Sequence, residues 1–333
     1  MGLKVGVIGT GKLGKEHVRV LKRIPEVEHV ACFDIKTTRS RSVAAEHGAE
    51  AFDTVEKLMN AVDAVSVVVP TNHHAAVSLE ALDRGKNLFL EKPIAASIGE
   101  AEKIVSAAKK FGRILQIGHI ERFNPVVREA AEHVDRPSFI EIHRLAPFNV
   151  RGIDVSVIMD LMIHDLDLLS MFTGRDPIEI RAKGAAILTN GPDIVNARIE
   201  YGGGCVANLT ASRVSLEPLR KVRVFSSSGY VSIDLLKRTF RHVKKSKRFD
   251  SRVRMLREEA DLDAFETSGQ ISLGDFIEVY EAESKGEEPL FDELQAFCRT
   301  ITLKNRPMVT GEDGLRALRL AYEIQALVEK SES

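Results

Sequence analysis

The chain has 333 residues, and 47 lysines and arginines against 48 aspartates and glutamates give it a formal charge of −1. This balance argues against a duplex-DNA binder or a polybasic membrane protein, because both carry a large positive excess. At roughly 150 residues per domain the length predicts two domains, and a 44% apolar content is enough for folded cores.

The N-terminus and the cysteines predict the cellular setting. Met1 to Lys4 lead directly into a strand-like run, with no apolar signal segment before it. The longest stretch without charged residues, 64–79, is interrupted by Pro70 and two histidines, so it is not a membrane span. The 3 cysteines are odd in number and far apart, which fits neither a disulfide framework nor a zinc cluster. We expect a soluble, cytoplasmic protein that binds no metal, no nucleic acid and no membrane.

Strands and helices alternate over residues 1–120. Apolar runs predict strands at 3–8, 29–35, 64–70, 87–90 and 114–117. Helical spacing predicts helices at 12–23, 40–47, 54–60, 75–84 and 97–111, two of which begin at the N-cap residues Thr54 and Ser97. Five strands have a run of their own, and 64–70, 87–90 and 114–117 are counted as the fourth, fifth and sixth strands. The alternation predicts a doubly wound parallel sheet of six strands.

The pattern changes over residues 121–333. Alternating apolar residues predict half-buried strands at 139–145, 195–201, 205–211, 222–225 and 231–235, and glycine-rich turns join neighbouring strands. The basic run 237–257 is interpreted as a solvated loop or arm, with phosphate binding as the alternative. Two helices, 290–303 and 311–330, close the chain. We predict a C-terminal α/β domain with a largely antiparallel, open sheet.

A glycine-rich turn follows the first strand and opens the first helix. Its sequence fits G-x-G-x-x-G and consists of Gly9, Thr10, Gly11, Lys12, Leu13 and Gly14. Gly9 permits the tight turn, Gly11 lets a pyrophosphate approach the backbone, and Gly14 lets the helix pack closely on the strand. A glycine turn in a cofactor-free α/β protein is the alternative.

Asp34 strengthens the case for a dinucleotide site. It ends the second strand, beside Ile35, where a carboxylate would accept hydrogen bonds from the adenosine ribose. An acid there also repels a 2′-phosphate, which favours NAD over NADP. Lys36 and Arg39 lie nearby in sequence and weaken that preference.

Further polar residues follow the later strands, at the edge where open α/β sheets bind their ligands. Pro70, Thr71, Asn72, His73 and His74 form the predicted loop after the fourth strand, beside the cofactor. Glu91-Lys92-Pro93 follows the fifth strand, and Gln116 lies in the sixth. We expect Glu91 and Gln116 to border the nicotinamide. Lys92 can donate to an alkoxide or carbonyl, although a surface lysine before a turn proline is equally compatible with the sequence.

Asp160, His164 and Asp167 have helical spacing and lie among apolar residues. Polar, titratable groups in so apolar a helix need a partner or a function. An imidazole within reach of a carboxylate is a general base held in one orientation. The alternatives are a hydrogen-bonded core histidine and a metal site, for which a third ligand is missing.

Together these motifs resemble the Gfo/Idh/MocA oxidoreductase family over essentially the whole chain. The resemblance is carried by Gly9–Gly14, Asp34, the Pro70–His74 loop, Glu91-Lys92-Pro93, Arg122-Phe123-Asn124-Pro125 and Asp160-xxx-His164. It implies a Rossmann domain, a second α/β domain whose open sheet commonly forms a homo-oligomer interface (dimer or tetramer), and NAD(P)-dependent oxidation of a sugar, cyclitol or nucleotide-sugar hydroxyl. It also implies Lys92, Asp160 and His164 as the catalytic group. Met162 stands where the family often has glycine.

Within the family, the run 158–167 and the basic stretch after Leu236 resemble members that oxidise the 3-hydroxyl of UDP-N-acetylglucosamine for lipid A synthesis. We expect Lys92, Arg122, Asn124, Asp160 and His164 to contact substrate. The arginines available for a diphosphate are Arg122, Arg144, Arg151 and Arg213. A free cyclitol or monosaccharide substrate, and a catalytically silent NAD-binding regulator, remain as alternatives. A polysaccharide-binding module is disfavoured, because the chain has no Trp and 4 Tyr.

Overall fold

The computed structural model describes residues 2–149, 155–258, 273–284, 286 and 288–330. The chain forms two compact units. The first unit comprises residues 1–124, 158–170 and 286–333, and the second comprises 125–157 and 171–285. This grouping differs from a single division at residue 120, because two later segments of the chain belong with the N-terminal residues.

The first unit is built on a parallel sheet of six strands, as predicted, in the order β3-β2-β1-β4-β5-β6. The strands are β1 (Leu3–Ile8), β2 (Val27–Phe33), β3 (Glu50–Ala51), β4 (Ala64–Val67), β5 (Asn87–Glu91) and β6 (Leu115–Gly118). The helices between them are α1 (Lys12–Leu21), α2 (Thr37–His47), α3 (Val55–Ala61), α4 (His74–Asp83) and α5 (Ile98–Phe111). Every strand therefore ends at the same edge of the sheet as β1, where the glycine turn lies.

Local sequence signals determine where these helices begin and end. The side chains of Thr54 and Ser97 accept hydrogen bonds from the amides of Lys57 and Glu100, as N-caps of α3 and α5. Helix α2 ends at Gly48, which adopts the left-handed conformation that a non-glycine residue rarely takes.

Segments that come late in the sequence complete the core of the first unit. A π-helical turn, Ile158–Met162, precedes α7 (Ile163–Thr173). Two long helices, α10 (Pro289–Leu303) and α11 (Gly311–Lys330), follow near the end of the chain. Leu294 and Phe297 of α10 are buried in the same cluster as Phe89 of β5, and Leu318 of α11 is buried with β6. Burial of their apolar faces stabilises the sheet that carries the site.

The second unit is an eight-stranded sheet in the order β14-β13-β12-β11-β7-β10-β9-β8. Its strands are β7 (Phe139–Leu145), β8 (Pro177–Ala185), β9 (Ile194–Tyr201), β10 (Val206–Ser212), β11 (Leu219–Ser226), β12 (Gly229–Asp234), β13 (Thr239–Lys245) and β14 (Ile277–Glu283). The described part of this unit also contains helices α6 (Pro125–Ala131), α8 (Phe249–Glu258) and α9 (Leu273–Phe276). Only β7 and β10 pair in parallel, so the sheet is largely antiparallel, as predicted.

The prediction of a solvated loop in the basic run 237–257 is wrong, because the run contains strand β13 and helix α8. The many lysines and arginines of this run interrupt the apolar alternation from which a strand is predicted. In the structure, two of them pair with acids of the neighbouring strand β14. Arg241 contacts Glu281 at 2.8 Å, and Lys244 contacts Glu278 at 3.1 Å. Strands β8 and β14 were not predicted either. In the described part of the chain, no helix is long and apolar enough to cross a membrane.

Candidate active site

The turn between β1 and α1 has a geometry that requires glycine. Gly9 has a φ of 94°, and a Cβ there would lie 2.6 Å from the carbonyl oxygen of Val68. A Cβ on Gly14 would lie 1.8 Å from the carbonyl oxygen of Gly9, whereas one on Gly11 would meet no atom within 4 Å. Gly9 and Gly14 thus allow close packing, and Gly11 leaves open space at the N-terminus of α1, which fits a pyrophosphate.

Asp34 lies just beyond β2 and is buried beside this turn. Its carboxylate accepts hydrogen bonds from the backbone amides of Thr10 (2.9 Å) and Lys36 (2.8 Å), and Arg39 contacts it at 3.2 Å. Burial raises the pKa of Asp34, but the amide hydrogen bonds from Lys36 and Thr10 and the charge of Arg39 outweigh it and hold the pKa below its usual value. The carboxylate is therefore ionised at neutral pH and can accept from a ribose hydroxyl.

A cavity of about 800 Å³ extends along the same edge of the sheet. Most of the predicted cofactor residues line it, namely Gly9, Gly11, Lys12, Leu13, Gly14, Asp34, Ile35, Pro70, Thr71, His74, Glu91 and Lys92. Arg39, Val55 and His73 also line it. The lining and volume fit a dinucleotide, with the glycine turn and Asp34 near one end and Lys92 further along the same wall.

Three predicted cofactor residues lie elsewhere. Thr10 lines an adjoining cavity and donates from its hydroxyl to Asp34 at 3.1 Å. Asn72 is exposed on the 3-10 turn that precedes α4. Gln116 is fully buried, and its amide nitrogen donates to the backbone oxygen of Glu293 at 3.0 Å, so it holds α10 against β6 and does not line the cavity.

His74 connects two loops of the cavity wall. Its ring nitrogens lie 2.9 Å from the backbone oxygens of Pro93 and Val69. Burial lowers the pKa of His74, while the contacts with the two carbonyl oxygens act in the opposite direction and favour the protonated ring. The contact fixes the loop after β4 against the turn that carries Lys92.

Lys92 and Asp160 come together at this wall, although they are far apart in sequence. The Lys92 ammonium donates to the backbone oxygen of Asp160 at 2.7 Å and lies 3.3 Å from its carboxylate. The Lys92 side chain is 19% exposed, and that of Asp160 is 47% exposed. A partly buried ammonium held by a carboxylate can still donate to a substrate oxygen, since a lysine has three donor hydrogens.

The regular α-helix predicted through Asp160 and His164 is replaced at its start by the π-helical turn Ile158–Met162. Such turns are rare in proteins overall, but those that occur are often found at functional sites. Because a π turn holds more residues than an α turn, the two side chains do not have the simple i,i+4 relation assumed from the sequence. Met162, which stands where the family often has glycine, is fully buried.

His164 lies half-buried at the start of α7. Its ring meets that of His119 edge to face, with centroids 6.3 Å apart. His119 is buried, and burial lowers its pKa, so it remains neutral. His119, which follows β6 directly, was not predicted from the sequence. The signal that could have found it is a histidine at the carboxyl end of a parallel strand.

The structure does not place Arg122 as a substrate ligand. Its guanidinium is 8% exposed and donates to both carboxylate oxygens of Asp167, at 2.7 and 2.6 Å. Asp313 lies 3.5 Å away. Such a bidentate, buried pair uses the donors that a diphosphate would need. Asn124 is buried as well.

The other arginines considered for a diphosphate belong to the second unit. Arg144 and Arg213 are buried there, and Arg213 donates to the backbone oxygen of Val155. Arg151 lies outside the described residues. Among the residues that the structure describes, no group of three or more His, Cys, Asp or Glu is arranged to hold a metal ion.

Comparisons with known proteins identify both units. Residues 3–119 match the family model described as "Oxidoreductase family, NAD-binding Rossmann fold" of the GFO/IDH/MocA group. Residues 133–232 match the GFO/IDH/MocA C-terminal domain.

Individual relatives point to sugar and cyclitol dehydrogenases. UDP-N-acetylglucosamine 3-dehydrogenase of Acidithiobacillus ferrooxidans is 41% identical over 238 residues, which cover 71% of this chain and 75% of the relative. A solved structure of that enzyme superposes with a TM-score of 0.86 at 33% identity, covering 99% of both chains. Myo-inositol 2-dehydrogenase of Thermotoga maritima is 24% identical over 99% of this chain and 98% of its own.

Proposed function

The chain belongs to the Gfo/Idh/MocA family of NAD-binding oxidoreductases, and we propose that it oxidises the 3-hydroxyl of UDP-N-acetylglucosamine to the 3-keto nucleotide sugar, as a step towards lipid A. The observation that carries the proposal is the contact of Lys92, which lines the dinucleotide cavity, with Asp160. It is supported by the alignment of the chain, over 99% of its length, with a UDP-N-acetylglucosamine 3-dehydrogenase.

The proposed chemistry assigns one task to each side chain. His164 accepts the hydroxyl proton, and Lys92 donates a hydrogen bond to the same oxygen as its negative charge develops. Asp160 keeps the Lys92 ammonium in place through the contacts at 2.7 and 3.3 Å. The chemistry that NAD would supply at this site is that of a hydride acceptor for the carbon that bears this hydroxyl.

NAD fits the residues present. The glycine turn would hold its pyrophosphate, Asp34 would accept from its adenosine ribose, and the wall formed by Glu91 and Lys92 would face its nicotinamide end.

The experiment that tests the substrate is a turnover assay with the purified protein and NAD. NADH formation is followed with UDP-N-acetylglucosamine, UDP-glucose, free N-acetylglucosamine and myo-inositol, and NMR of the product locates the keto group. We expect kcat/KM for UDP-N-acetylglucosamine to exceed that for the free sugars at least about tenfold, because a diphosphate adds charged contacts. Preferred oxidation of a free sugar, or a keto group at another carbon, would contradict the proposal.

A free cyclitol is the second candidate substrate. It is favoured by the full-length similarity to the myo-inositol 2-dehydrogenase of Thermotoga maritima, although the identity is lower at 24%. The same assay separates the two candidates, because inositol lacks both the diphosphate and the acetamido group.

We expect Asp34→Ala to weaken NADH binding by about tenfold or more, because hydrogen bonds to a charged group are lost. The same change removes the charge that repels a 2′-phosphate, so discrimination against NADPH should fall. Fluorescence titration of both cofactors measures the two effects. Asp53→Ala is the control, since Asp53 is an exposed acid of the same unit, paired with Arg41. Tighter NADPH than NADH binding by the wild type would show that Arg39 outweighs Asp34.

We also propose that the protein forms a homo-oligomer through the sheet of the second unit. One face of this sheet is buried, as in β9, where Val195, Ala197 and Ile199 are fully buried. In the described residues the other face remains partly exposed and includes Phe139 and Phe225, whose rings are 5.9 Å apart. Partly exposed aromatic rings on the open face of a sheet are available to pack against a second subunit.

Sedimentation at micromolar concentration is expected to give a mass of at least twice 36.8 kDa. Phe139→Glu should shift the protein towards the monomer, whereas Leu216→Glu, at a 99% exposed position outside the strands, should not. A wild-type mass near 36.8 kDa would refute the proposed interface.

A further inference from the structure

Two polar side chains face each other in the interior of the first unit, between α1 and β4. His17 lies on the buried side of α1, beside Val18 and Leu21, and Ser66 is the polar residue of β4. Both are fully buried, and the Nδ1 of His17 lies 2.8 Å from the hydroxyl of Ser66. Buried polar groups are costly unless they have a partner or a task.

The other ring nitrogen of His17 is directed to the cavity wall. Its Nε2 lies 3.1 Å from a carboxylate oxygen of Glu91, in an ion-pair contact that is not a well-aligned hydrogen bond. The ring also packs edge to face on Phe89 at 5.5 Å. When the Ser66 hydroxyl donates to Nδ1, the ring N–H lies on Nε2 and faces Glu91.

Glu91 is held from other sides too. Its second carboxylate oxygen accepts from the backbone amide of Lys92 at 3.2 Å. A Cβ on Gly118 would lie 2.9 Å from this oxygen, so glycine leaves the space that the carboxylate occupies. Burial and the charge of Glu91 raise the pKa of the neighbouring Glu293 carboxyl well above its usual value. The Glu91 carboxylate is therefore held at one oxygen by the amide of Lys92 and faces His17 with the other.

We propose that His17 is a positioning residue: held by Ser66, it fixes the Glu91 carboxylate, which in turn fixes the peptide that carries Lys92. This inference rests on the proposed role of Lys92. It links α1, the helix that begins at the dinucleotide turn, to the group that donates to the substrate oxygen. Substitution of a neighbour that orients a functional side chain typically lowers activity by about tenfold or more.

Two substitutions test the proposal. His17→Phe keeps a ring against Phe89 but removes both nitrogens, and His17→Gln retains an N–H that can face Glu91. We expect His17→Phe to lower kcat by about tenfold or more with NADH affinity changed less than about threefold, and His17→Gln to recover most of the loss. His29→Phe is the matched control, since His29 forms a His–Glu contact with Glu50 at 3.0 Å in the same unit, away from the cavity.

A second readout needs no substrate. The rate of reductive methylation of Lys92, mapped by mass spectrometry, should rise severalfold in His17→Phe, because the ammonium is no longer held at Asp160. Lys86, which donates to the backbone oxygen of Val62, serves as the internal reference and should react at the wild-type rate. If His17→Phe does not fold, Ser66→Ala carries the same measurements.

The outcomes separate this inference from the proposed function. A wild-type protein that fails to oxidise UDP-N-acetylglucosamine contradicts the function alone. Three results would overturn the positioning role. They are an unchanged rate of Lys92 methylation in His17→Phe, an unchanged kcat in the same variant, and a parallel loss of kcat and NADH affinity that His17→Gln does not repair.

Discussion

Replacing Lys92 by methionine or His164 by asparagine is expected to lower turnover by roughly 10²-fold or more, with little change in NAD affinity. Lys92→Met keeps most of the side-chain bulk but removes the donor that lies against Asp160. His164→Asn keeps a polar side chain but removes the base. Both changes act on the transition state, in which the hydroxyl loses its proton and its oxygen becomes negative.

Steady-state kinetics and NADH titration check this prediction. Lys86→Met is the matched control, since Lys86 donates to a backbone oxygen of the same unit outside the cavity. Activity of the wild type should rise with pH as the imidazole loses its proton, and His164→Asn should lose that rise. Near-normal turnover in both variants would remove the proposed mechanism and leave only the dinucleotide site.

The second large effect concerns stability. Arg122→Met is expected to lower the free energy of unfolding by about 3–5 kcal/mol, because it leaves the Asp167 carboxylate buried without its ion-pair partner. Asp167 is fully buried and receives two hydrogen bonds from Arg122. Denaturant titration measures the loss.

Two further variants identify the cause. The double variant Arg122→Met/Asp167→Leu removes both charges and should regain much of the loss. Arg41→Met breaks the pair with Asp53, whose side chains are 66% and 60% exposed, and should cost less than about 1 kcal/mol. Equal stability of Arg122→Met and the wild type would show that the pair does not stabilise the first unit.

The sequence alone determined the fold class and the dinucleotide site, because both depend on local signals. The glycine turn, the N-caps Thr54 and Ser97, and the apolar runs of β1 and β4 act within a few residues of one another. Asp34 was predicted as a cofactor ligand in the same way, since its position after β2 follows from the strand pattern. Lys92, Asp160 and His164 were singled out by motif, but the motif did not say which of them touch.

The tertiary structure alone decided how the distant segments combine. Arg122 was predicted as a substrate ligand, but the structure buries its guanidinium, and two of its donors bind the carboxylate of Asp167. Gln116 was predicted at the nicotinamide, but α10, which follows some 170 residues later, binds its amide. The basic run was predicted as a solvated loop or arm, but its first half pairs with β12 and β14 as a strand, and acids of β14 face its cations. In each case the contacting residue comes from a distant segment of the chain. That segment is brought close by the burial of apolar faces during packing, and the spacing of residues within a single segment does not encode this contact.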